Sequence, residues 1–350
     1  MKTSFVSNIA MQNAMRLTIG RGQNEIQKLN TEIVTGRHAD IGIALGARAS
    51  NSITLNRDVS RLQAILDTNA LVTQRLSASQ SSLDLMADAA QQMLEAFISV
   101  NGSDDANRLL IAQRDVETAL GAYTVAANTS SNGEYLFAGI NTNTQPLQEY
   151  LSAGSPPKVA FDTLFVSKFG FAQDNPLAAT ITVADMQDFL DNYLEPSFSG
   201  TDWTTNWSSA SDTNITSRIQ KNEVVESSTN ANSEGMRNFA MAAVIGVELL
   251  NSPISAEVRA SLNRSAIEYA GAAATGIDNE RSMLGVTENR ITKANTALES
   301  QLRIITLHLG DVEGVDAYEA STRMKSLLAQ VETSYTLTAR IQQMSLMNYL

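Results

Sequence analysis

At 350 residues the chain can bury a sizeable core, and its formal charge of −12 with only 25 Lys and Arg opposes nucleic acid or an anionic membrane as partner, because a phosphate surface must be neutralised by clustered cations. The absence of cysteine excludes disulfides, thiolate metal sites and thiol nucleophiles. No stretch approaches the roughly 18 apolar residues that span a bilayer, and residues 1–15 lack the apolar block and cleavage site of a secretory signal, so a cleaved signal peptide is not expected.

All six prolines (Pro146, Pro156, Pro157, Pro176, Pro196, Pro253) and both tryptophans (Trp203, Trp207) fall in the middle of the chain. An interior proline costs a helix a hydrogen bond and adds a clash, so both ends are free to form long helices. The first predicted helix runs from Phe5 to Val34 with Ile26, Leu29 and Ile33 in register, stops at Thr35-Gly36 and gives way to a loose run from His38 to Gly46. A long helix from Ile53 to Phe97 follows, its seam made by Leu55, Val59, Leu62, Leu66, Leu76, Leu83, Ala87, Ala90, Leu94 and Phe97. The mean step of about 3.5 residues is that of a coiled coil, and Asn69, Thr73 and Gln80 on the same face are polar residues of the kind that fix register. At about 1.5 Å per residue such a helix is a rod of roughly 65 Å. Arg57, Arg61 and Arg75 sit among Asp and Gln and read as a solvated face.

Asn101-Gly102-Ser103 ends this helix, and Asp104-Asp105 starts a return helix reaching Asn128. From about Asn141 to Asn232 the composition turns to Pro, Ser, Thr, Asn and aromatics, with Lys158 to Val166 and Thr180 to Val183 predicted as strands and Asp185 to Tyr193 as a short helix. Phe161, Phe165, Phe169, Phe171 and the two tryptophans supply enough apolar anchors for a folded insert. Beyond it, Ile277, Leu284, Ile291, Leu298 and Ile305 recur every seven residues, with Ala294, Leu302 and Leu309 beside them. Gly310 to Gly314 is predicted to break that helix, and a last helix from about Asp316 carries Met324, Leu328, Val331, Tyr335, Thr338 and Ile341 on one face.

The expected fold is therefore mainly α: a long antiparallel coiled-coil rod formed by the N- and C-terminal helices, with a small inserted α+β or β-rich central domain. Three parts are expected: a terminal helical pair (1–40 with 315–350), a helical rod (41–140 with 233–314) and an insert (141–232). The terminal helices cannot bury their apolar faces within a thin rod, so Phe5, Ile9, Ile26, Leu29, Ile33, Met324, Leu328, Val331, Tyr335, Ile341, Leu346 and Leu350 are candidate subunit-interface residues. These segments are expected to be disordered in the free monomer and to form an intersubunit coiled coil on assembly.

Residues that could carry chemistry are few. His38 and His308 are far apart and lack partners at ligand spacing, and His308 is expected to cap or pack near its helix end. Ser155 to Lys158 matches Ser-x-x-Lys only by chance, since two prolines fill it and its companion motifs are missing. Gly20 to Gly22 lies in a helical stretch, not a phosphate-cradling loop. No catalytic, cofactor-binding or metal residue is assigned, and an enzyme is not expected.

After the return helix comes Asn128-Thr-Ser-Ser-Asn132-Gly133-Glu-Tyr135-Leu-Phe137-Ala-Gly139, physically a helix end, an Asn-Gly turn and an alternating strand. Asn132, Gly133, Tyr135, Phe137 and Gly139 resemble the Asn-Gly-x-Tyr-x-Phe-x-Gly segment of the hook-filament junction family, the hook-associated protein 3 family of the flagellin superfamily. Thr35-Gly36-Arg37, the long helix from Ile53 and the closing stretch Leu327 to Leu350 agree, so the resemblance covers about two thirds of the chain. In place of the Asn, Pro or Ala and paired Asp usual after Thr-Gly-Arg, this chain has His38-Ala-Asp-Ile-Gly-Ile-Ala. The resemblance implies unfolded export through the flagellar type III apparatus with an export chaperone, and an extracellular place in the flagellum. It implies as partners other copies of the chain, a neighbouring hook-associated protein and flagellin, with no cofactor, nucleic acid or membrane. A flagellin-type filament subunit and a cytoplasmic coiled-coil scaffold or signalling protein remain alternatives.

Overall fold

The computed structural model describes residues 8–347, with side chains over 10–341. The chain forms two compact units: a terminal unit, up to residue 64 and from 297 onward, and a central unit, 65–296. It is mainly α, with long helices at both ends and two small antiparallel sheets.

Helix α1 (Asn8–Thr35) ends at Gly36, whose φ of 68° is left-handed and which only a residue without Cβ adopts at little cost. The stretch expected to be loose is partly ordered instead. A short helix α2 (Ile41–Leu45) is started by Asp40, whose carboxylate accepts from the Ile43 amide at 3.0 Å, the ordinary way a first turn satisfies an orphan donor. Helix α3 (Ala49–Ser99) then runs for 51 residues. Helix α4 (Ala106–Ala127) starts behind Asp105, which accepts from the Arg108 amide at 2.9 Å. Strands β1 (Ser130–Ser131) and β2 (Glu134–Tyr135) form a hairpin pairing Ser130 with Tyr135.

The segments 158–166 and 180–183, expected as strands, are not strands. Pro156 and Pro157 occupy the first turn of α5 (Pro156–Phe169), where a missing N–H costs nothing. Phe161 and Phe165 alternate as a strand would, but they are also four apart, and packing on Phe189 with centroids at 6.2 and 5.4 Å selects the helix. Thr180 closes a 3₁₀ turn from Pro176, and Thr182 caps α6 (Val183–Phe189) through its hydroxyl at 3.1 Å from the Asp185 amide. A π-helical turn, α7 (Glu195–Ser197) and α8 (Gly200–Asn206) follow, then a hairpin of β3 (Thr216–Gln220) and β4 (Glu223–Glu226). Trp203 and Trp207 stack at 5.6 Å, and Tyr150 stacks on Trp207 at 5.3 Å.

Helix α9 (Glu234–Val244) continues into a π-helical turn and leads to α10 (Ala256–Glu313). In the central unit α10 lies antiparallel to α3: Asn295 accepts from Asn69 at 2.7 Å, and the Arg281 carbonyl accepts from Gln80 at 2.8 Å. Two of the three polar seam residues thus make cross-helix hydrogen bonds, while Thr73 bonds back to the Asn69 carbonyl at 2.9 Å. Leu76, Leu83, Ala90, Phe97, Ile277, Leu284 and Ile291 are buried as the periodicity predicts. Gly235 and Gly276 let α9 and α10 touch, since a Cβ on Gly276 would stand 2.4 Å from the Gly235 Cα. The helix does not break at Gly310; it runs on to Glu313 and stops at Gly314. Helix α11 (Ala317–Met347) starts beyond Asp316, which accepts from the Tyr318 and Glu319 amides at 2.8 and 3.2 Å.

Candidate assembly interface

In the terminal unit α1 and α11 pair antiparallel: Gln23 donates to the Tyr335 hydroxyl at 2.8 Å, and Thr338 contacts Met15 at 3.5 Å. A Cβ on Gly22 would meet Val331 at 2.7 Å, so this glycine sets how closely the helices approach. Among the half-buried and buried positions, a run on α1 steps as 12, 15, 19, 22, 26, 29, 33, flanked by 20, 25 and 32, and one on α11 as 320, 324, 327, 331, 334, 338, 341, flanked by 321. These alternate threes and fours are a heptad seam.

The predicted interface residues divide accordingly. Ile26, Ile33, Met324 and Val331 are half-buried in the seam, and Leu29 and Ile341 are buried there, at 3% and 8% exposure. Leu328 and Tyr335 stand beside the seam, 42% and 50% exposed, while Leu17, Val34, Leu337 and Tyr318 are exposed elsewhere on the pair. Phe5 and Leu350, with the side chains of Ile9 and Leu346, lie outside the described residues. One helix covers one stripe of another, so Leu328 and Tyr335, two turns apart on one side of α11, are left facing solvent.

Both interruptions, after α1 and after α10, meet in one joint. Arg37 bridges to Gly314, the His38 amide donates to the Glu313 carbonyl at 3.0 Å, and the Val315 amide donates to the Gly36 carbonyl at 3.0 Å. A Cβ on Gly314 would lie 2.3 Å from the Gly310 carbonyl oxygen, so no other residue fits there. Thr35-Gly36-Arg37 is therefore one half of a backbone clasp, a partner the sequence alone did not reveal.

The segment Asn132 to Gly139 has structural work in the central unit. Asn132 (φ 54°) and Gly133 (φ 83°) form the left-handed pair of a tight hairpin turn. Arg75 donates to Glu134 at 2.7 Å and to the Tyr135 carbonyl at 2.9 Å. Residues 136–139 do not alternate as a surface strand would: all four are buried, with the Phe137 carbonyl accepting from Ala231 at 2.8 Å. Gly139, at φ 60°, lies so close to the 211–213 backbone that a Cβ would meet the Ser211 oxygen at 2.4 Å.

The candidate reactive residues are occupied or apart. Ser155 donates to the Tyr150 carbonyl at 2.8 Å, and Lys158 pairs with Asp162 and Glu248. Glu248 also accepts from Tyr150 and Gln173, both at 3.0 Å, and the Tyr150 hydroxyl is pushed far above the ordinary phenol range by burial first and by Glu248 second. His38 sits 3.6 Å from Glu32, and His308 is exposed on α10 instead of capping or packing. Among the described residues no cluster of three His, Cys, Asp or Glu could hold a metal, and no helix is long and apolar enough to cross a membrane.

The family model of the bacterial flagellin N-terminal helical region matches residues 6–142, and that of the C-terminal helical region matches 267–350. The fold is similar to that of a Vibrio parahaemolyticus chain assigned to the flagellar hook-associated proteins, at 11% identity and TM-score 0.52, over 76% of this chain and 97% of that one. Bacillus cereus FlgL is matched at 13% identity over 75% of this chain and 97% of that one, but its TM-score of 0.38 is too low to carry weight. No curated protein matches in sequence. With its two helical regions matched over more than half the residues, and with a paired-helix terminal unit that fits a self-assembling structural component, the chain belongs to the flagellin superfamily.

Proposed function

We propose that this chain is the structural subunit of the hook-filament junction, joining a layer of hook-associated protein to the first flagellins. Its parts in this reading are the terminal pair (1–40 with 315–350), the inner helices (41–140 with 233–314) and the insert (141–232). The observation that carries an assembly role is the apolar surface left uncovered on the paired terminal helices, with Leu328 and Tyr335 beside the seam and Leu17 and Leu337 on other faces. Neighbouring copies, flagellin or another hook-associated protein would cover it, gaining roughly 25 cal/mol per Å² buried. The junction position, as opposed to the filament, is supported by the Asn132 to Gly139 segment. Export without a cleaved signal, with a chaperone holding the terminal segments, belongs to the same reading.

Immunogold electron microscopy of flagella carrying a tag in the 141–232 insert tests it. Label confined to a single band where hook meets filament is expected. Label along the whole filament would establish the second reading, a filament subunit, which the two flagellin helical-region matches favour. Label retained inside the cell, with unchanged motility on deletion, would overturn both.

A further inference from the structure

We propose that Glu313 is the lock of the joint in the terminal unit, a positioning residue that makes the turn after α1, the start of α3 and the end of α10 close as one piece. Its side chain is completely buried, and its partners come from two other segments. Ser52 and Asn56, one turn apart on α3, both donate to Oε1, Asn56 at 2.9 Å. Oε2 makes no hydrogen bond among the described residues, and the guanidinium of Arg37, in the turn after α1, lies 3.3 Å from it. Glu313 itself closes α10, where its carbonyl accepts from His38 and its neighbour Gly314 bridges to Arg37.

A carboxylate taken out of water is tolerated only where opposite charge and donors replace the solvent. Those groups surround Glu313 only when α1 has turned at Gly36, α3 has formed its first turns and α10 has stopped at Gly314. Each closure without the others leaves the carboxylate short of partners, so the three favour one another.

The partners are not equivalent. Losing Arg37 strands a buried charge, whereas Glu313→Gln keeps an acceptor for Ser52 and Asn56 and releases Arg37, already half in solvent, to water. Arg37→Ala should therefore loosen the joint more than Glu313→Gln, and the double variant should recover part of that loss.

Hydrogen exchange of the full-length chain, followed by mass spectrometry, reads this directly. Glu313→Ala and Arg37→Ala are each expected to speed exchange across 36–40, 49–56 and 313–317 together by about tenfold or more, with 65–296 unchanged. The Arg37→Ala/Glu313→Gln pair should exchange more slowly than Arg37→Ala alone. Unchanged exchange in both single variants, an unprotected joint in the unsubstituted chain, acceleration in one segment without the others, or no relief in the double variant would each overturn the lock. A change spread equally through 65–296 would overturn it as well.

Discussion

The two units of this protein bury their side chains very differently. In the central unit, aromatic residues from many elements close on each other: Tyr123 stacks on Phe239 at 3.8 Å, and Phe165, Phe189, Trp203 and Phe97 are all but sealed from solvent. In the terminal unit the buried apolar residues among those described are Leu29, Leu62, Leu298, Leu309, Ala320 and Ile341. Other apolar seam residues, Ile26, Ile33, Met324 and Val331, are only half-buried, and the most completely buried side chain is the charged Glu313. Long helices are sustained by packing more than by propensity. One unit has a core of its own, while the other has helices whose apolar side chains are only partly covered.

The largest effect is expected from opening a hole in the central core. Phe97→Ala should cost about 3–5 kcal/mol, because the ring is fully buried against the Gly246 turn and little can collapse into the space. The urea midpoint of the main transition reports it. Gly276→Ala comes next: a methyl cannot share space with the Gly235 backbone, so α9 and α10 must part, at about 2–3 kcal/mol in the same transition. By contrast, Leu29→Ala should cost only about 1–2 kcal/mol, the transfer term for a side chain in a thin seam. It should lower far-ultraviolet helicity and leave the central transition where it was. A Leu29→Ala midpoint shift as large as that of Phe97→Ala would erase the distinction.

The smallest expected effect lies on the surface of the insert. Lys168 donates to Asp188, as does Asn192 at 2.7 Å, and these bonds hold the Asp188 carboxyl below the ordinary carboxylate range. The folded-state value is depressed, so the contribution is present above the unfolded value and fades as pH falls through the folded one. Asp188→Asn should remove a slight acid sensitivity below about pH 4 and change little at neutral pH, as expected of an exposed pair. Thermal midpoints of the two forms between pH 7 and pH 3 would display it.

Much of this contrast was legible in the sequence, for a reason visible in particular residues. Ile277, Leu284, Ile291 and Leu298 recur every seven positions and are buried, because long helices leave the period no competitor. Asn69 and Gln80 interrupt the seam and make its cross-helix hydrogen bonds. The insert was less legible: Phe161 and Phe165 satisfy both the strand and the helix period, and only their contact with Phe189, more than twenty residues on, decides. The joint was legible as two breaks but not as one clasp, since nothing local to Gly36 names Gly314. Leu29 and Ile341 were expected at a subunit interface and lie in the in-chain seam, whereas Leu328 and Tyr335 remain exposed; the 3.6-residue period marks an apolar face without saying which neighbour covers each part.

The central claim, that the terminal helices depend on neighbours while the central unit stands alone, is tested most directly by limited proteolysis of the purified monomer, with mass spectrometry locating the cuts. Rapid loss of roughly 30 to 35 residues from each end, stopping at the joint, and a resistant fragment containing 65–296 are expected. Survival of α1 and α11 for as long as the central unit would contradict it.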